Sequence, residues 1–338
     1  MSPADALDRV VYLLDRTLAE SRRVMAYKKA ADLVRELGDD EIARRHAEGT
    51  VQELPGIGAS TGKVIALTLD GGIDEYLAKL EAETELPIGE GAALRAQLKG
   101  DCHTHTTWSD GGASTEQMAR TAMELGHEYL VVTDHSPRLT IAHGLNRERL
   151  SQQLDEIAAL NEELAPFRIL TGMEVDILVD GSLDQDEDML ERLDVVIASV
   201  HSKLSMPGPE MTRRMVMAVA SPHVDILGHC TGRKVVGRGR PQSTFDADIV
   251  FAACARFDTA VEINCRPERQ DPPDELLALA LDWDCKVSID TDAHAPGQLE
   301  WQVYGCDKAT RHGIEPERIV NTMPADDLLA WTSSHNTA

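Results

Sequence analysis

The sequence predicts an α/β protein: a closed barrel of parallel strands preceded by a small all-α domain. Three observations carry this. From residue 97 onward, short apolar runs alternate with helical patterns seven times, with no doubly wound glycine fingerprint among them. Residues 1–92 show only helical periodicity. Six of the twelve histidines fall at the ends of the expected strands, where a parallel barrel carries its chemistry.

In order, helical patterns cover 6–20, with Leu7, Val10, Val11, Leu14 and Leu18 on one face, and 24–37, stopped by Gly38. Arg22, Arg23, Lys28 and Lys29 form the local basic cluster of this part, readable as a solvated helix face or as a contact surface. Next comes Glu53-Leu54-Pro55-Gly56-Ile57-Gly58, followed by a helix over 59–69. Gly56 and Gly58 around one apolar residue allow a tight hairpin whose N–H groups face outward at a helix N-terminus. That is a cradle for a phosphodiester, with Lys63 one turn on. Gly56 to Lys63 imitates a nucleotide-binding P-loop, but the spacing is one residue too long and Val64 stands where Ser or Thr is needed. Residues 70–96 read as a helical piece around Ile73, Tyr76, Leu77 and Leu80, then a linker with Pro87, Gly89 and Gly91.

The domains are therefore expected at 1–92 and 97–332. Strands are expected at 97–103, 129–134, 168–175, 194–200, 224–229, 259–264 and 286–291. Helices are expected at 114–126, 146–164, 209–220, 245–257, 273–282 and around 316–332, the last closing the barrel.

The chain of 338 residues has a net charge of −25, which disfavours indiscriminate nucleic-acid binding but leaves room for a local basic patch. No apolar run is long enough for a membrane span. The first residues lack the pattern of a secretory signal, and six cysteines without CxxC spacing point to reduced thiols, so a cytoplasmic location is expected.

The strand ends carry the chemistry. His103 and His105 alternate onto one face of the first strand, with Asp110 in its loop. The later ends offer His135, Glu174, His201, His229, Glu262-Ile263-Asn264, and Asp292 with His294. Six imidazoles and three carboxylates gathered at one end of a barrel are a donor set for divalent cations; zinc, manganese and iron all suit it. Cys102, Cys230 and Cys265 alternate away from that face as packing residues.

This arrangement resembles the PHP (polymerase and histidinol phosphatase) family over roughly residues 97–330. All nine metal positions of the family pattern are filled, by His103, His105, Asp110, His135, Glu174, His201, His229, Asp292 and His294. The resemblance implies a distorted (β/α)7 barrel holding two or three divalent ions. His103, His105, Glu174 and Asp292 would serve the first. Glu174 would bridge to a second on His201 and His229, and Asp110, His135 and His294 would take the third. Clustered cations acidify a bound water and neutralise charge on phosphoryl oxygens. Glu174 and Asp292 are thus catalytic candidates, with Arg233 and Arg269 as phosphate-binding forks. The run Glu262 to Asp271 resembles the family's Glu-Ile-Asn…Pro-x-Arg-Leu-Asp, departing at Gln270 where leucine is usual.

Residues 53–58 resemble a helix-hairpin-helix, and Met25 to Ala31 resembles the helix before it in family X DNA polymerases. Fewer than thirty residues stand where those enzymes place a palm, and no Asp-x-Asp strand pair is present, so polymerase activity is not expected. The expected function is a metal-dependent phosphoesterase acting on DNA ends, as a 3′–5′ exonuclease or 3′-phosphatase in repair, with Gly56, Gly58 and Lys63 touching the DNA. One alternative is a small-molecule phosphatase of the histidinol-phosphatase type, which the acidic surface favours. Another is a non-catalytic scaffold binding DNA or protein. The sequence leaves the oligomeric state open.

Overall fold

Ser2 opens the first helix with a reciprocal cap: its hydroxyl accepts from the Asp5 N–H at 3.1 Å, and the Asp5 carboxylate accepts from the Ser2 N–H at 3.1 Å. Helix α1 (Pro3–Asp15) then buries Leu7, Val10, Leu13 and Leu14, each worth roughly 1.5–3 kcal/mol when withdrawn from water. It packs on α2 (Ser21–Leu37), whose Ala30 and Ala31 are fully buried at the contact and leave room for close approach.

Gly38, at φ +82°, ends α2 and begins α3 (Asp39–Glu48), a helix the apolar pattern did not foretell. It buries only Ile42. Its support is electrostatic: Asp39, Asp40 and Glu41 at the positive N-terminus, and Arg44 paired with Glu41 at 2.8 Å and Glu48 at 2.7 Å. Helices α4 (Ala59–Asp70) and α5 (Ile73–Glu83) complete this part around an apolar core.

The structure is a computed structural model describing residues 1–87 and 89–335, and it divides into two compact units between residues 87 and 88. The helix α6 (Ala92–Arg95) belongs to the second unit rather than to a linker. The Gly91 N–H donates to the Asp307 carboxylate at 2.7 Å, and a Cβ on Gly91 would sit 2.4 Å from the Asp307 nitrogen. The turn at the end of α6 runs on through Leu98, which is why the first strand starts three residues later than expected.

The second unit holds seven parallel strands in sequential order: β1 (Gly100–Thr104), β2 (Tyr129–Val132), β3 (Arg168–Asp176), β4 (Val195–Ser199), β5 (Ile226–Leu227), β6 (Ala260–Asn264) and β7 (Val287–Asp290). Between them run α7 (Thr115–Glu124), α8 (Arg147–Leu164), α9 (Glu187–Leu190), α10 (Gly208–Val219), α11 (Ala247–Phe257) and α12 (Asp274–Asp282). This is the expected (β/α)7 arrangement. Strands such as Tyr129-Leu130-Val131-Val132 are apolar throughout because both faces are covered. Register runs unbroken from Gly172 to Asp176 against Val195 to Ser199, but shifts between Asp101 and Thr104 in the pairing of β1 with β2.

Two helices follow β7. The first, α13 (Gln302–Arg311), lay outside the expected set. The last, α14 (Ala325–His335), starts later than 316 and adds Leu328 and Trp331 to the cluster formed by Cys102, Val131, Leu170, Ile197 and Ile226. The join between β7 and β1 is an isolated bridge, Thr104 to Ala293, rather than a ladder. Side chains close it: Thr291 Oγ1 donates to Asp101 at 2.5 Å, the Cys102 N–H to Asp290 at 2.8 Å, and Gln302 to the carbonyls of Gly100 and Ile289.

Candidate metal centre

Strand ends bring the nine residues together. His103 and His105 alternate from β1 into one interior and are fully buried. Asp110 follows in a loop held by buried Asp134, which accepts from the Thr106 N–H at 2.8 Å, the Thr106 hydroxyl at 2.7 Å, the Ser109 N–H at 3.1 Å and the Ser109 hydroxyl. Glu174 comes from β3, and His135, His201 and His229 follow β2, β4 and β5. Asp292 and His294 follow β7, with Asp292 at φ +52°, a conformation costly for a non-glycine residue and one that recurs at functional sites.

Glu174 is the hub. Its Oε1 lies 2.8 Å from His229 Nε2 and 3.2 Å from His201 Nε2. Its Oε2 lies 2.9 Å from His135 Nδ1, 3.5 Å from His103 Nε2 and 3.6 Å from His105 Nε2. Asp292 stands 3.5 Å from His105, and Asp110 stands 3.5 Å from His135 and 3.4 Å from His294. Three overlapping groups have donor atoms close enough to share an ion: His103, His105 and Glu174; His135, Glu174 and His201; His105, Asp110, His135 and His294. His105 and His135 each belong to two groups, where the resemblance gave each to one ion, and His229 and Asp292, though 2.8 Å from Glu174 and 3.5 Å from His105, fall in none of the three.

Among the described residues several of these atoms have no hydrogen-bond partner although buried: His103 Nε2, both nitrogens of His105 and of His201, and His229 Nδ1. An imidazole nitrogen buried without a partner is costly unless it has another use. The cysteines offer no competing site, since all six are free and buried.

Charge is tuned toward ligation. Burial opposes ionisation of Glu174, but His201, His103 and His135 hold it well below the usual carboxylate range. Burial likewise opposes Asp292, and Arg266, His105 and Arg269 overcome it. Burial, then Arg269, push His229 down to about 3, and burial with His294 and His135 keeps His105 well below the usual imidazole value. Both offer a lone pair. His103 goes the other way: burial opposes its charge, but Glu262 and Glu174 raise it well above the ordinary value.

Arg269, expected at the mouth, is there, its Nε 3.1 Å from the Asp292 carboxylate. Arg233 is not free to act as a fork: its guanidinium donates to the carbonyls of Arg269 (3.1 Å) and Gln270, so it holds the loop instead. Arg266, a position that sequence spacing does not mark out, reaches the Asp292 carbonyl at 2.9 Å, its carboxylate at 3.4 Å and His294 Nδ1 at 2.9 Å. Glu262 was left without a role. It accepts from His103 Nδ1 at 2.5 Å and from the His229 N–H at 2.5 Å, tying β1 and β5 together from β6. Its signal was its place in Glu-Ile-Asn, where Glu262 and Asn264 share the inward face.

In the first unit, Leu54 and Ile57 are buried while Gly56 and Gly58 stay exposed. The Ile57 N–H bonds to the Leu54 carbonyl at 3.0 Å, closing a turn that needs the φ of +95° at Gly56. Gly58, at φ −97°, has an ordinary conformation, and its N–H is taken by Thr61 Oγ1 at 2.9 Å, so it adds nothing to an anion cradle. Lys63 is exposed, its ammonium 5.4 Å over the Tyr76 ring.

Residues 101–232 match the PHP domain. The chain is 41% identical over 235 residues to the DNA polymerase/3′-5′ exonuclease PolX of Bacillus subtilis, which covers 70% of this chain but only 41% of that relative's length. It is 30% identical over 236 residues to a probable phosphatase of Thermoanaerobacter sp., covering 66% of this chain and 89% of that protein. Among solved structures, histidinol phosphate phosphatase from Lactococcus lactis, complexed with zinc, L-histidinol and phosphate, aligns at TM-score 0.45 and 18% identity, over 64% of this chain and 94% of that one. With the family match on its strand ends and a relative matched over nearly its full length, this chain belongs to the PHP domain family.

Proposed function

We propose that the protein is a metal-dependent phosphoesterase that hydrolyses phosphate esters at DNA ends, in the manner of a 3′–5′ exonuclease or 3′-phosphatase. The observation that carries metal dependence is the set of buried, partnerless imidazole nitrogens facing Glu174. The donor set fits two or three ions of zinc, manganese or iron. His103, His105, Glu174 and Asp292 would hold the first, Glu174 with His201 and His229 the second, and Asp110, His135 and His294 the third. Such ions supply an acidified water and neutralise charge on a phosphoryl group.

The chain's own residues do the rest. Glu174 and Asp292 stay ionised at neutral pH and fix the spacing of the donors. Arg269 and Arg266 lean on Asp292, where their guanidinium groups would orient phosphate oxygens. Arg233 keeps their loop in place.

The DNA reading rests on the PolX relative and on the exposed Gly56 turn at the start of α4, with Lys63 nearby. The relative named a probable phosphatase, together with the net charge of −25, favours a second reading, a small phosphomonoester. The full chain, reconstituted with zinc, manganese or iron, should shorten or dephosphorylate end-labelled DNA faster than it hydrolyses a panel of small phosphomonoesters. Turnover of the small esters alone would replace the DNA reading with the phosphatase.

A further inference from the structure

Residues 232–240, Gly-Arg-Lys-Val-Val-Gly-Arg-Gly-Arg, hold four cations and no acid in a chain of net charge −25. They follow β5 by way of His229 and form a small finger. Lys234 and Arg240 pair antiparallel, N–H to carbonyl in both directions, at 2.9 and 2.8 Å. The chain reverses through Gly237 and Gly239, both at φ +67°.

Two hydrogen bonds fix the finger. Arg240 Nε donates to the Gly232 carbonyl at 2.6 Å, and the Val235 N–H donates to the Glu268 carbonyl at 2.7 Å. Glu268 lies between Arg266 and Arg269, the two arginines on Asp292, so one loop carries both the finger and the mouth's arginines.

The protein balances these cations only in part: Arg233 and Arg240 feel the buried Asp271 carboxylate, and Lys234 feels Glu268. Elsewhere some exposed arginines are paired, as Arg44 is with Glu41 and Glu48, and Arg147 with Asp186 and Asp188, while others, such as Arg213 and Arg256, stand singly rather than in a cluster. Lys234 and Arg238 are exposed, and among the described residues neither has a carboxylate in ion-pair range. Instead Lys234 is crowded by its own kind: partial burial, then Arg269, Arg240 and Arg266, lower its ammonium below the ordinary value against the opposing pull of Glu268. Like charges held together this way repel unless a polyanion screens them. Beside them Val235 and Val236 are about half exposed.

We propose that this finger is a binding site for the phosphates of a nucleic-acid strand, next to the one held at the mouth. The proposal rests on the DNA reading above and deepens it. A single phosphomonoester is served by Arg266 and Arg269 alone, whereas successive phosphates need cations further along. Lys234 stands five positions after His229, a reach of at most about 18 Å.

Lys234→Gln with Arg238→Gln tests this in the full chain, because neither side chain has an internal partner to lose. The control is Arg213→Gln with Arg256→Gln, exposed positions on α10 and α11 that change net charge equally. Binding of a short fluorescein-labelled oligothymidylate is followed by anisotropy across a salt series, with chelator present so that nothing is cleaved. The finger pair should weaken binding about tenfold at low salt and flatten the log–log salt slope by about 1.4, the signature of two lost single-strand phosphate contacts, at an unchanged melting temperature. The control pair should leave both quantities near wild type. Equal losses in the two pairs would reduce the finger to general charge and overturn the proposal. Unchanged binding in the finger pair would overturn it too, while leaving the DNA reading intact. Wild-type protein that fails to bind the strand would remove both.

Discussion

The core of the first unit and the mouth of the barrel are both buried, but in opposite ways. The first is built from Leu7, Val10, Leu13, Leu14, Val34, Ile42, Val64 and Ile65. Its buried arginine, Arg16, is satisfied by Thr84 at 3.0 Å and the Glu81 carbonyl at 2.8 Å. The mouth buries His103, His105, Glu174, His229, Glu262 and Asp292 to within 2% of full enclosure. Apolar burial stabilises the one; the other is a desolvation cost offset by internal pairing, with nitrogens left over. That difference teaches where stability is made and where it is given up for chemistry.

The contrast breaks most sharply at Glu174. Glu174→Ala should lower phosphate-ester hydrolysis by about 10²-fold or more without loss of the folded far-UV spectrum. Activity within a tenth of wild type would contradict a hub at this position.

Leu13→Ala tests the other side. A fully buried leucine in an apolar core should cost about 2–5 kcal/mol of first-unit stability in urea titration. Hydrolysis of a small chromogenic ester, read from the second unit, should not change.

Chelation sharpens the comparison. Ions bound at a hundred times their dissociation constant contribute about 2.7 kcal/mol, so stripping them should lower the barrel's melting transition by several degrees. The first unit's transition should stay where it is. Equal shifts in both would mean that the ions do not reside at the mouth.

Acid should also separate the units. His127, in the barrel unit, is pushed down to about 3 by burial and then by Arg95. A histidine with a depressed folded value supports stability above its unfolded value near 6.5, and that support is lost as pH falls toward 3. At pH 5 the loss should be about 2 kcal/mol, and His127→Gln should flatten the barrel's pH profile by that amount.

The smallest effect lies in the hairpin. Gly56→Ala should cost about 1 kcal/mol because of the φ of +95°, while Gly58→Ala should cost under about 0.5 kcal/mol. Equal melting shifts for the two would mean that the turn is misread.

Six of the strands were legible as mainly apolar runs of a sheet covered on both faces, while β1, Gly-Asp-Cys-His-Thr, was legible from its His-x-His and began three residues later than expected. The nine candidate donors were legible because eight stand at or just beyond the end of a strand and Asp110 stands in the loop after the first. Helix α3 was not, since one buried isoleucine makes no stripe and its stability comes from end charges. The roles of Glu262 and Arg266 were hidden because both act across the sheet, on residues 159 and 26 positions away. Spacing cannot reveal that. Arg233 misled for the same reason: a cation near a mouth says nothing about which carbonyls it will meet.

The join between β7 and β1 carries a consequence for motion. Elsewhere the barrel is laced by main-chain ladders, but here main-chain bonds are isolated, as from the His105 N–H to the Ala293 carbonyl at 2.8 Å, and Asp101, Asp290, Gln302 and Asn321 add side-chain links. Side-chain links open singly, without the cooperativity of a ladder, so amide exchange should be faster along this join than between β3 and β4. His103 and His105 stand on one bank, Asp292 and His294 on the other. Small movements along it would widen or narrow the gap between those four side chains, giving the centre an adjustable bite for cations of unequal radius.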